Sequence, residues 1–81
     1  MQVAKVLSNI PGLVDGIYLS TKVAFDKANV AARAMGYFTE IQKAGDNEWS
    51  IAVVELSGKE VSNEDYTRCM AYVGLVDVIE N

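Results

Sequence analysis

Residues 17–25 read Ile17-Tyr-Leu-Ser-Thr-Lys-Val-Ala-Phe25, and the conformation of this stretch decides the fold of the chain. Its apolar and polar side chains alternate, which is typical of a strand with one buried face. Asp26 follows as a candidate helix N-cap, helix-forming residues continue to Met35, and Gly36 suits the residue just after a helix. We therefore predict a strand over 17–25 and a helix directly after it.

One continuous helix, from about Tyr18 to Lys43, is the alternative for this region. Five residues would share one face of that helix: Ala24, Ala28, Ala31, Met35 and Phe38. Gly36 and the β-favouring residues 37–39 favour the interpretation as strand, helix and strand, which we adopt.

Towards the N-terminus, Val3, Val6, Leu7 and Ile10 recur at helical spacing. This spacing predicts a short opening helix, with a strand as the alternative. The helix would end at Pro11-Gly12, and a turn at Asp15-Gly16 would lead into the next segment.

Towards the C-terminus, Trp49–Leu56 predicts a strand. Its middle, Ile51–Val54, is apolar on both faces, which indicates a strand covered from both sides. A turn at Gly45-Asp46-Asn47 would precede it.

A second helix is predicted to begin at Ser62, with Asp65 at its third position as a variant capping box. Its apolar stripe would consist of Tyr66, Cys69, Met70 and Val73. Gly74 would end the helix, and Leu75–Ile79 would form the last strand.

These elements predict one domain of 81 residues with an α+β fold. Residues 1–16 would form the N-terminal helix and turn. Residues 17–81 would form a small ferredoxin-like sheet with the split order β-α-β-β-α-β and two helices.

Composition excludes several classes of protein. The chain has no histidine and one cysteine, so we expect no metal site, no cofactor and no catalytic residues, and we predict that it is not an enzyme. Cys69 is expected to be buried in the second helix, where burial would make its thiol unreactive. No segment has the ~18 consecutive apolar residues of a membrane span, and no disulfide can form within the chain, so we expect a cytoplasmic protein without membrane contact.

Charge divides the chain unevenly within its net value of −4. Residues 1–45 carry +2 and residues 46–81 carry −6. Without a basic stripe we expect no direct binding of nucleic acid.

The leading functional hypothesis is therefore a small acidic interaction protein, an accessory, regulator or inhibitor that binds a larger protein. Small proteins of phages and mobile elements often have this character, so a viral origin is one expectation. A basic nucleic-acid-binding protein would suit as partner, because acidic residues cluster in 46–65. The candidate contact residues are Asp46, Glu48, Glu60, Glu64 and Asp65.

The alternative hypothesis is a homodimeric domain that binds a small ligand or acts as a cofactor-free enzyme. Two sheets packed face to face would then enclose an apolar pocket near Trp49. The candidate residues for this pocket or for self-association are Tyr18, Trp49, Ile51 and Val53.

Overall fold

The computed structural model describes residues 1–55 and 70–78, which form five strands and one helix. In chain order these are β1 (Gln2–Ser8), β2 (Gly16–Tyr18), α1 (Thr21–Ala34), β3 (Tyr37–Gly45), β4 (Glu48–Glu55) and β5 (Met70–Asp77). The strands form one sheet in the order β2-β1-β5-β4-β3, and every neighbouring pair is antiparallel. The predicted ferredoxin-like fold, with two helices and an additional N-terminal helix, is therefore wrong.

The N-terminal segment is a strand, and the predicted opening helix is wrong. β1 lies between β2 and β5 and carries apolar side chains on both faces. Ala4 and Val6 are fully buried on the side of α1, whereas Val3 and Leu7 lie on the opposite face. A strand with apolar residues on both faces loses its two-residue alternation, and here the remaining spacing imitates that of a helix.

The second strand is much shorter than predicted because α1 begins early. β2 covers only Gly16–Tyr18, and Ser20, not Asp26, is the N-cap of the helix. The Val23 backbone N–H donates to the Ser20 hydroxyl oxygen at 3.2 Å. This bond satisfies one of the backbone donors that the first helical turn leaves unpaired, so the alternating pattern of 17–25 does not continue as a strand.

Gly36 follows the helix as predicted. It has a φ of +86° and donates its N–H to the Arg33 carbonyl at 3.0 Å, in the left-handed conformation that glycine adopts at low cost. The helix therefore ends well before Lys43, which rules out the continuous helix from Tyr18 to Lys43.

The β3–β4 hairpin confirms two predictions. A turn lies at Asp46-Asn47, next to a register shift between Lys43 and Gly45. The four residues Ile51–Val54 are between 0% and 8% exposed, so the middle of β4 is covered on both faces as its apolar run predicted.

β5 replaces the end of the predicted second helix. Met70 and Val73, expected on a helical stripe, lie on this strand, and Gly74 is inside it rather than at a helix end. Leu75–Asp77 belongs to the strand, in partial agreement with the predicted final strand. The predicted cap at Ser62, the helix up to Cys69 and the last predicted strand residue Ile79 lie outside the described residues.

The main core lies between α1 and one face of the sheet. The helix contributes only small side chains, since its buried residues are all alanines. The buried residues of this cluster are Ala4, Val6, Ile10, Leu13, Ala24, Ala28, Ala31, Ala32, Ile51, Val53, Ala71 and Val73.

Candidate binding groove on the open sheet face

The face of the sheet that points away from α1 carries a shallow groove. Its volume is about 300 Å³, and it lies where β1, β5 and the beginning of β4 run side by side. We define the groove by the six residues whose strand positions place them on this face: Lys5, Leu7, Glu48, Tyr72, Gly74 and Val76.

Gly74 forms the floor of the groove. It is the registered partner of Lys5 on one side and of Glu48 on the other, so the three residues form one row across the sheet. A β-carbon at Gly74 would come no closer than 3.9 Å to another atom, the Asn47 carbonyl oxygen. The depression therefore results from a missing side chain in the middle of a strand, with no crowding that would demand glycine there.

Apolar side chains border the groove along the strands. Tyr72 and Val76 lie two residues to either side of Gly74 on β5, which places them on the same face. Leu7 is the registered neighbour of Tyr72 on β1. Leu7 and Tyr72 are 56% and 55% exposed, and Ile17 on β2, beside Lys5, is 61% exposed.

Two charges stand on opposite sides of this apolar surface. Lys5 and Glu48 are both exposed, and their α-carbons are roughly 10 Å apart, twice the distance between neighbouring strands. Neither has an ion-pair partner within residues 1–55 and 70–78, where the single ion pair joins Lys22 and Asp26 at 3.4 Å on α1. The groove thus has a positive side and a negative side.

The acidic candidates are only partly described. Asp46 lies in the β3–β4 turn and Glu48 at the start of β4, and both are exposed. Of the two, Glu48 borders the groove. Glu60, Glu64 and Asp65 lie outside the described residues.

The apolar candidates lie on the other side of the sheet, against α1. Ile51 and Val53 are fully buried in the core. Tyr18 is half-buried against the same core and donates its hydroxyl to the Val14 carbonyl at 2.6 Å. The ring of Trp49 packs edge to face on Phe25, with 5.9 Å between ring centroids.

Of these four, Trp49 alone also borders the groove. The structure therefore assembles the four residues as core packing beneath the helix, with β4 between most of them and the groove.

Sequence reasoning missed the residues that make the groove, apart from Glu48. One signal pointed to them: Gly74 interrupts the apolar run Met70–Val76, and an isolated glycine within a strand marks a place where something can approach the backbone closely. That signal was hidden because the preceding residues were assigned to a helix, in which Gly74 had the ordinary role of a stop.

Other kinds of site find no support in the part of the chain that the structure describes. There, no three histidine, cysteine, aspartate or glutamate side chains are grouped to hold a metal ion. Over the same residues, no helix has the length and apolar character to cross a bilayer.

Known proteins offer no assignment beyond this geometry. No protein-family model matches the chain, and comparisons with curated proteins and with solved structures find no match.

Proposed function

We propose that this chain is a non-enzymatic interaction protein that binds another protein surface through the open sheet face around the groove. The observation that carries the proposal is the side-by-side exposure of Leu7, Tyr72 and Ile17 on adjoining strands. Scattered exposed apolar residues are ordinary, but a contiguous patch with polar residues at its border is typical of a docking site.

Tyr72 has the properties of an anchoring residue. Tyrosine offers a large, rigid apolar surface with a polar end, and it is enriched among the residues that dominate binding energy at interfaces. Its place beside the depression at Gly74 provides both a protruding and a receiving feature. Such a surface needs neither a nucleophile nor a bound ion to act.

The acidic residues enter this proposal as the border of the surface. Glu48 lies in the groove and Asp46 next to it in the hairpin turn. A larger partner with a basic surface would meet these carboxylates at the rim, where charge contributes mainly to the association rate and to orientation.

Photo-crosslinking in a cell lysate tests the proposal independently of who the partner is. A photoreactive phenylalanine analogue at Tyr72 should yield a discrete crosslinked product. The same analogue at Val30, which is 66% exposed on α1, serves as the matched control and should yield none. Equal labelling at both positions, or none at Tyr72, would contradict the proposal.

A second candidate function is the binding of a small apolar ligand, and the groove itself is the observation that favours it. Its volume is at the lower end of the range of ~300–1,000 Å³ found for ligand sites. Gly74→Val would fill the groove without a steric clash. Ligand-dependent quenching of Trp49 fluorescence in the wild type, lost in Gly74→Val, would support this function.

A further inference from the structure

The charges across the groove are arranged so that two copies of the chain can complement each other. Lys5 and Glu48 occupy the same row on either side of Gly74, one on β1 and the other on β4. Each therefore lies about 5 Å from the line of β5, at equal distances on opposite sides.

A two-fold axis that runs along β5, midway between two facing sheets, exchanges these two sides. Lys5 of one copy then faces Glu48 of the second copy, and symmetry repeats the contact in reverse. A two-fold axis across the strands would instead bring Lys5 against Lys5 and Glu48 against Glu48. The pattern of charge thus favours one symmetric arrangement and opposes the other.

The sizes of the side chains agree with that arrangement. Facing sheets pack about 10 Å apart, so the space above Gly74 admits the long side chains of Lys5 and Glu48 from the two copies. Tyr72 and Val76 lie on β5 and therefore meet their own counterparts beside the axis. The apolar contacts supply affinity, and the two reciprocal charge pairs set the register.

We infer that the groove is a self-association surface, where a second copy of this chain docks face to face about a two-fold axis along β5. The inference rests on the proposed function, since it names the partner of the same face.

Exchange of the two charges tests the inference in sedimentation experiments on the purified full chain. The wild type should be a dimer. Lys5→Glu and Glu48→Lys should each weaken dimerisation about tenfold or more, because each places two like-charged pairs in the interface. An equimolar mixture of the two variants should restore a dimer, since every facing pair is then oppositely charged.

The mixture also guards against misfolding, because misfolded variants would not recover dimerisation when combined. High salt should partly restore self-association of each single variant by screening like charges. As an independent check, Tyr72→Lys should yield monomers, whereas Val30→Lys, an equally drastic change on α1, should leave the dimer intact. Circular dichroism would confirm that all variants keep the wild-type fold.

The outcomes separate this inference from the proposed function. A wild type that stays monomeric while the probe at Tyr72 crosslinks a different protein overturns self-association and leaves the docking face standing. A monomer that yields no crosslink at Tyr72 overturns both. A dimer that is insensitive to both charge variants and to Tyr72→Lys uses another surface and overturns the inference.

Discussion

Ser20 controls where α1 begins. Its hydroxyl accepts the Val23 N–H at 3.2 Å from an extended backbone with φ −155° and ψ 166°. We expect Ser20→Ala to lower the free energy of unfolding by about 1 kcal/mol, because that N–H would lose its acceptor. Ser20→Asp is the matched control and should retain most of the stability, since a carboxylate also caps. Urea unfolding followed by circular dichroism measures both, and equal stability of all three proteins would argue against the cap.

Single residues differ in how clearly the sequence announces their role. Gly36 was predicted because a left-handed residue after a helix is almost always glycine, and one residue type suffices to mark it. Ser20 was missed because both serine and aspartate cap helices, and Asp26 preceded an equally convincing helical run. Gly74 was missed because its meaning depends on whether its neighbours form a strand or a helix, which no single residue decides.

The packing of α1 on the sheet depends on the small size of its buried side chains. Ala24, Ala28 and Ala32 are fully buried and lie one turn apart. We expect Ala28→Leu to destabilise the protein by ~1–3 kcal/mol, because the larger side chain would push the helix off the sheet. Val30→Ala on the exposed side of the helix is the control and should change stability by less than ~0.5 kcal/mol. Thermal unfolding would compare them, and an unaffected Ala28→Leu would contradict close packing.

Elements at the edge of the sheet and elements at its centre were predictable to different degrees. The β3–β4 hairpin was recognised because turn residues and β-favouring segments coincide there. β1 and β5 were mistaken for helices, wholly or in part, because both lie between other strands and carry apolar residues on each face. Without alternation, Val3 and Val6 or Met70 and Val73 fit a helical spacing as well as a strand.

The groove belongs to the whole molecule, since its residues come from three separate parts of the chain. β5 inserts between β1 and β4, which brings Gly74 beside both Lys5 and Glu48. A pairing between the first and last described strands has no local signal, because it depends on contacts that are distant in sequence. The candidate site was therefore beyond sequence reasoning even where individual members, such as Glu48, were named.

Self-association would also show in the stability of the whole molecule. A chain of this length has an expected unfolding free energy of about 4–12 kcal/mol, so burial of an exposed apolar face in a dimer would be a substantial contribution. When the native state is a dimer and the unfolded state is not, the midpoint of thermal unfolding rises with protein concentration. Tenfold more protein adds ~1.4 kcal/mol per dimer, which corresponds to a rise of a few degrees for a domain of this size.

We expect this rise for the wild type at concentrations above its dimer dissociation constant. Val30→Lys should show the same rise, because Val30 lies on α1, away from the groove. Tyr72→Lys should unfold at a midpoint that is independent of concentration, since two lysines would meet beside the two-fold axis and keep the copies apart. Scanning calorimetry over a hundredfold range of concentration would measure all three proteins. A flat wild-type midpoint across that range would mean that the exposed row of Leu7 and Tyr72 awaits a different partner.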